Sequence, residues 1–236
     1  MRQIAFCVLL SACGLMVAQG QEIKVQRLQG DVAVRHGVTE AWTTVAVGDV
    51  LRPDDTMKTG RKGSAVLVVP LKSAGSMKRI ALPPEVIVDL SDVRELSQEE
   101  LMLKLTMERV RASSYQWKAD ELHIPNAAVV HGADQSGGAP LTDNDPQSGL
   151  LLWNGTRVLY DNGFYSTCAL KAIELFRLYP SVGVKVENHI MAADALEKAN
   201  LRGEALSEYA GILQMKGVSH AQESMVNERI AKLRKQ

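Results

Sequence analysis

The groups able to do chemistry in this chain are few and scattered. Its histidines are His36, His123, His131, His189 and His220, and no pair stands at a spacing that recurs in metal sites. His123 and His131 flank one expected strand, with no cysteine or carboxylate adjacent to either. Asp54-Asp55 and Glu99-Glu100 are neighbours in sequence, so they do not converge on one substrate atom as acid and base. Turn and helix-capping roles suit them better. Gly60-Arg61-Lys62-Gly63 lacks the following helix and the Lys-Ser/Thr pair of a phosphate loop; with Lys58 it forms a small basic turn facing solvent. Cys168, between Thr167 and Ala169 on an apolar helical face, reads as a small core residue. Asn154-Gly155-Thr156 matches a glycosylation sequon, a three-residue pattern too short to decide a function. The expectation is a non-enzymatic protein with no catalytic residue, no metal site and no cofactor.

The elements that carry these residues are read as exported. Met1-Arg2-Gln3 is a short positive start, Ile4 to Ala18 is nearly all apolar, and Ala18-Gln19-Gly20 offers small residues for signal cleavage. That run is shorter than the ~20 residues that span a bilayer. The leader is assigned to residues 1–20, with a periplasmic or secreted product. Leu10-Ser11-Ala12-Cys13 also resembles a lipobox, which would place a lipid anchor on Cys13, although Gly14–Val17 after it is still apolar. Cleavage after Gly20 leaves Cys168 alone, so no internal disulfide staples the fold. The 27 basic residues balance 27 acidic ones and aromatics are only 5%, which removes both the charge and the stacking surface of a nucleic-acid binder.

Texture along the chain changes three times. Ile23/Val25, Val32/Val34, Trp42–Val47, Ala65–Val69, Ile80/Leu82 and Val86–Leu90 read as strands, punctuated by Gly30, Gly37, Gly48, Gly60, Gly63 and Gly75. The unbroken run Ala65–Val69 suits a strand covered on both faces, and Trp42 reads as a core aromatic. Residues 91–117 switch to a helix opened by the capping box Ser97-Gln98-Glu99-Glu100. Its face of Leu101, Met102, Leu105 and Val110 is expected to pack on the β domain. Leu122 to Gly132 reads as a further strand, preceded by a junction residue in Trp117. Residues 134–149 form a Gly/Pro-rich linker.

The β region resembles the FecR domain of bacterial envelope proteins. The resemblance rests on Gly30-x-Val32-x-Val34, Gly37, Trp42, Gly48 with Leu51, Asp54-Asp55, Thr59-Gly60, Ser64–Val69 and Ile80-x-Leu82-Pro83. Ile124–Gly132 looks like the family's closing strand, although Gly132-Ala133-Asp134 replaces its usual continuation. The resemblance implies a solenoid-like all-β module over residues 21–133, with the helix 91–117 inserted. Typical members relay a signal to a sigma factor through a membrane span. With a cleavable leader running straight into the β module, that relay is not carried over.

Residues 150–236 carry a repeat at an offset of 37, pairing Gly155 with Ala192, Leu159 with Leu196, Cys168 with Ala205 and Leu175 with Ile212. Gly163-Phe164-Tyr165, Cys168 and Pro180 resemble the tetratricopeptide repeat, and Ser219–Lys235 would be its end helix. A competing reading makes Leu150–Tyr160 a β-hairpin turned at Asn154-Gly155. In the repeat family the first helices line a groove, which implies a partner-binding surface of Trp153, Arg157, Tyr160, Asp194, Glu197 and Lys198. The alternative is that Trp153 and Tyr160 pack on the β module. Two repeats are fewer than the roughly three that stand alone, which leaves packing on the β module or self-association. The expected architecture is α+β: a FecR-like β module followed by TPR-like helical hairpins. The expected function is an adaptor or scaffold for an envelope protein partner, the alternative a periplasmic sensor for a small ligand or glycan.

Overall fold

The computed structural model describes residues 22–71, 76–117 and 146–235. The leader, the expected strand Leu122–Gly132, His123, His131 and linker residues 134–145 lie outside the described residues.

Among the described residues, eight strands form two antiparallel four-stranded sheets. They are β1 (Ile23–Gln29), β2 (Val32–Arg35), β3 (Thr43–Thr44), β4 (Val50–Leu51), β5 (Thr56–Thr59), β6 (Ser64–Pro70), β7 (Met77–Leu82) and β8 (Val86–Asp89). One sheet has the order β4-β1-β6-β7 and the other β3-β2-β5-β8, so the chain passes back and forth between them. Alternation drives the arrangement, because successive side chains on a strand point to opposite faces. Ile23, Val25, Leu67, Val69, Ile80 and Leu82 of the first sheet are buried against Val32, Val34, Met57, Val86 and Val88 of the second. The run Ala65–Val69 also alternates: Val66 and Val68 stay half-exposed, so β6 is covered fully on one face only.

Trp42 is not a core aromatic. It lies just before the edge strand β3, 38% exposed, with Arg35 and Lys58 5.4 and 5.6 Å from its ring centroid. An edge position on the outer face gives it two cations to cover instead of a core to fill.

After a 3-10 turn at Leu90–Asp92 the described residues form seven helices: α1 (Gln98–Trp117), α2 (Pro146–Asp161), α3 (Tyr165–Leu178), α4 (Pro180–Gly183), α5 (Val186–Lys198), α6 (Arg202–Ile212) and α7 (His220–Lys235). Ser97 Oγ accepts from Glu100 N–H at 3.1 Å, which is half of the expected box; the Glu100 carboxylate turns to Arg94 and Lys104. The α1 helix packs on α3. Leu101 and Leu105 are buried, and Glu108 accepts from Arg177 Nε and Nη2 at 3.0 and 2.9 Å. Val110 is 61% exposed, because the buried stripe turns through Glu108 instead.

Residues 150–160 lie wholly within α2, not in a hairpin. The glycine at 155 serves a close approach: a Cβ there would stand 2.0 Å from the Ile87 carbonyl oxygen. Asn154 Nδ2 donates to Glu85 O at 2.8 Å on the same side. Thus the Asn-Gly pair seats a helix against the edge strand β8, and α2 also touches β7, the edge of the other sheet. Covering β8 removes a row of unpaired backbone groups from competition with other chains.

The hairpins α2–α3 and α5–α6 repeat their joint at an offset of 37. Gly163 and Asn200 both have positive φ, +73° and +63°. Phe164 N–H donates to Leu159 O as Leu201 N–H donates to Leu196 O, each at 2.9 Å. Leu159, Leu196 and Leu233 are buried at successive steps of 37, so α7 occupies the phase of α2 and α5. The α3 helix has Phe164 at its N-cap without a side-chain cap. Glu95 supplies one from a distance, accepting from Tyr165 and Ser166 N–H at 2.7 and 3.1 Å.

The fold class is therefore mixed α+β, two antiparallel sheets followed by a helical C-terminal part. One hydrophobic core runs from Ile23 and Leu67 through Leu101, Leu159 and Tyr209 to Leu233. Among the described residues no helix is long and apolar enough to cross a membrane.

Candidate functional site

Where the helical layer leaves the outer face of the second sheet, a cleft of 490 Å³ opens. Its floor follows from strand alternation. Val34 and Met57 point inward, so Arg35 and Lys58 point outward, and Ile87 and Asp89 do so on β8. Its wall is Leu152 from α2, Lys171, Glu174, Leu175 and Leu178 from α3, and Tyr179 beyond them. The volume is that of small-molecule sites, about 300–1,000 Å³.

A row of hydrogen bonds crosses the floor in register with the sheet, since Arg35 pairs with Thr56 and Thr56 with Asp89. Arg35 Nη2 donates to Thr56 Oγ1 at 3.3 Å, and that hydroxyl donates to Asp89 at 2.7 Å. Lys171 Nζ completes the row on Asp89 at 3.1 Å, and also meets Asp92 at 3.2 Å and Glu174 at 3.3 Å. Burial opposes the Lys171 charge, yet Asp92, Glu174 and Asp89 together raise its pKa above the ordinary lysine value. Burial likewise opposes ionisation of Asp89, but Lys171, Thr56 and Arg35 hold its pKa below the usual carboxylate range. Asp92 is the converse: burial wins over Lys171, and Asp89 and Glu174 add to the rise.

Lys171 is thus saturated, while Arg35 and Lys58 are not. Neither forms an ion pair among the described residues, and Arg35 Nε is buried with no hydrogen-bond partner there. What holds these two cations is the Trp42 ring.

The six expected groove residues do not form one surface. Trp153 is 6% exposed and packs among Ala172, Leu175, Tyr179 and Val182, with the Phe176 ring 5.9 Å away. Arg157 is exposed and lines a recess of 230 Å³ with Pro83, Pro84, Asn154 and Asp161. Tyr160 meets Tyr165 edge-on at 5.4 Å, and Lys198 lies over both rings at 4.3 and 4.6 Å. Asp194 and Glu197 accept from the Tyr209 hydroxyl, and Glu197 also faces Arg229 and Lys232 of α7. The structure brings Tyr160 to Lys198 and Asp194 to Glu197, and it leaves Trp153 and Arg157 apart.

The described histidines have structural partners that sequence reading missed. His36 Nδ1 meets the buried Asp55 at 2.9 Å. His189 sets Nδ1 on Glu208 at 2.6 Å and Nε2 on Gly183 O at 2.7 Å, stacked on Phe176 at 4.1 Å. Burial pushes the Cys168 thiol up to about 12. Among the described residues no group of three His, Cys, Asp or Glu side chains is placed to hold a metal ion.

The cleft residues were invisible as a set because they come from four strands or their flanks and two helices far apart in sequence. The one signal was Arg35 at the outward position after Val34, where an alternating strand shows what its wet face carries. Comparison with protein-family models, curated proteins and solved structures gives no match.

Proposed function

We propose that the chain is a non-enzymatic binding protein of the cell envelope, exported by its leader, with a FecR-like β module and TPR-like hairpins forming the two walls of a ligand cleft. The observation that supports this reading is the pair Arg35 and Lys58, two cations held over Trp42 in a walled cleft and lacking any ion-pair partner among the described residues. Arg35 and Lys58 are half-buried on the floor of the cleft, so an anionic ligand entering it meets both charges. The repeated passage of the chain between two sheets fits the solenoid-like winding implied by the FecR resemblance. The equivalent joints at Gly163 and Asn200 fit a helical repeat.

Thermal-shift screening of the processed chain with wall fragments and siderophores tests the reading, because a ligand of the folded state must raise its melting temperature. The expected result is a compound whose effect disappears in the Arg35→Met/Lys58→Met variant. A screen in which no stabilisation depends on these two residues would reject the cleft.

A second reading, the protein adaptor, is favoured by α1. Leu103, Met107 and Val110 are 64%, 47% and 61% exposed along one helical stripe. Crosslinked envelopes should then yield a protein partner to the natural chain and not to Leu103→Lys/Met107→Lys; identical captures would remove this reading.

A further inference from the structure

We propose that the cleft binds a singly charged amphipathic carboxylate, its anionic head set between Arg35 and Lys58 and its apolar body laid along Leu152 and Leu178. The inference rests on the cleft being a binding site and names the class of its ligand.

Three features select that class. The first is the pair of cations on the floor. Arg35 lines the cleft with Nη2 donating to Thr56 Oγ1 at 3.3 Å, and Lys58 lines it beside the same Trp42 ring. A guanidinium edge is shaped for a carboxylate, and hydrogen bonds between ionised partners are roughly twice as strong as neutral ones. Trp42 holds the Arg35 and Lys58 charges in place before a ligand arrives, which lowers the ordering cost of binding.

The second feature is the opposite wall. Leu152 and Leu178 are half-buried and face the same cleft as the cations, so a fully polar anion would leave apolar surface against water. A ligand with an apolar body covers it.

The third feature limits the charge. Asp89 and Glu174 line the cleft as well, and both are engaged by Lys171. Their carboxylates compensate part of the positive floor and oppose a second negative charge on the ligand. A monoanion satisfies Arg35 and Lys58 without meeting that repulsion. A polyanion does not.

Dodecanoate is the probe, titrated calorimetrically into the processed chain below its micelle concentration, beside dodecyl maltoside and dodecyltrimethylammonium. Saturable one-to-one binding of dodecanoate is expected, with neither comparator approaching it. Arg35→Met and Lys58→Met keep the apolar stems, and each should weaken binding by about tenfold or more, the loss of one charge-assisted contact. Leu178→Gln should weaken it too. A readout that needs no variant is the carboxyl carbon resonance of labelled dodecanoate, which should stay ionised to lower pH when bound. Dodecanoate binding no tighter than dodecyl maltoside, or unchanged in the double methionine variant, overturns the proposal. If wall fragments or siderophores then still stabilise the chain through Arg35 and Lys58, the cleft stands and only the amphiphile falls. If they do not, both fall.

Discussion

Both ring nitrogens of His189 face acceptors, the Glu208 carboxylate at Nδ1 and the Gly183 carbonyl at Nε2, an arrangement that a doubly protonated ring satisfies. Burial opposes that charge, but the Glu208 and Gly183 contacts raise the pKa above the ordinary 6.5. A raised folded-state pKa stabilises fully below the unfolded value, and the gain is lost as pH climbs through the folded one. Urea unfolding of the natural chain should therefore weaken with rising pH just above 6.5, and His189→Gln should flatten that slope. Equal slopes in the two proteins would show a neutral ring. Gly155 makes a steric case at the same scale. Gly155→Ala puts a methyl 2.0 Å from the Ile87 carbonyl and should cost about 1–3 kcal/mol of unfolding free energy. A loss below a few tenths would mean that α2 slides freely over β8. These cases mark a limit of sequence reading: Asn154-Gly155 carries a turn signature, and only the neighbouring strand reveals that the missing side chain makes room for a helix.

At the scale of elements, strands were legible where apolar residues alternate between glycine turns, as in β1, β2 and β6. The β5 strand was not, since Thr56-Met57-Lys58-Thr59 carries a single strongly apolar residue. Its threonines are buried because their hydroxyls find partners, Thr59 donating to Pro83 O at 2.7 Å and Thr56 to Asp89. Helix α1 was legible in place but not in partner, because a buried Glu108 reads as solvent-facing until Arg177 is seen opposite it. The junction of α3 with β8 gives the element-scale prediction. Lys171→Met strands Asp89, Asp92 and Glu174 around an uncharged side chain, which should cost about 3–5 kcal/mol near neutrality. The penalty should shrink in acid, as protonated carboxyls need no cation; a loss independent of pH would place the role of Lys171 in packing alone.

For the whole molecule, α2 packs against one edge strand of each sheet, and the larger hydrophobic core joins strands to helices. The two halves should unfold together. Far-ultraviolet circular dichroism and tryptophan fluorescence should trace one urea transition, with Trp42 in the β layer and Trp153 among the helices. Two separated transitions would mean that the halves are only tethered. The sequence texture separates strand-rich and helical regions correctly, and it is silent on their union. That union depends on Gly155, Asn154, Lys78 and Lys171, residues whose partners lie 68 to 84 positions away. The cleft exists only because of it.

The left-handed corners at Gly163 and Asn200 have a consequence for how such a chain can change in length. Each corner is followed by the same helix start and the same buried leucine phase, through Leu159, Leu196 and Leu233. A further segment of that period, spliced at the second corner, would find its hydrogen bonds and its leucine already specified. The arc could grow at its far end while the walls around Arg35 and Lys58 stayed as they are.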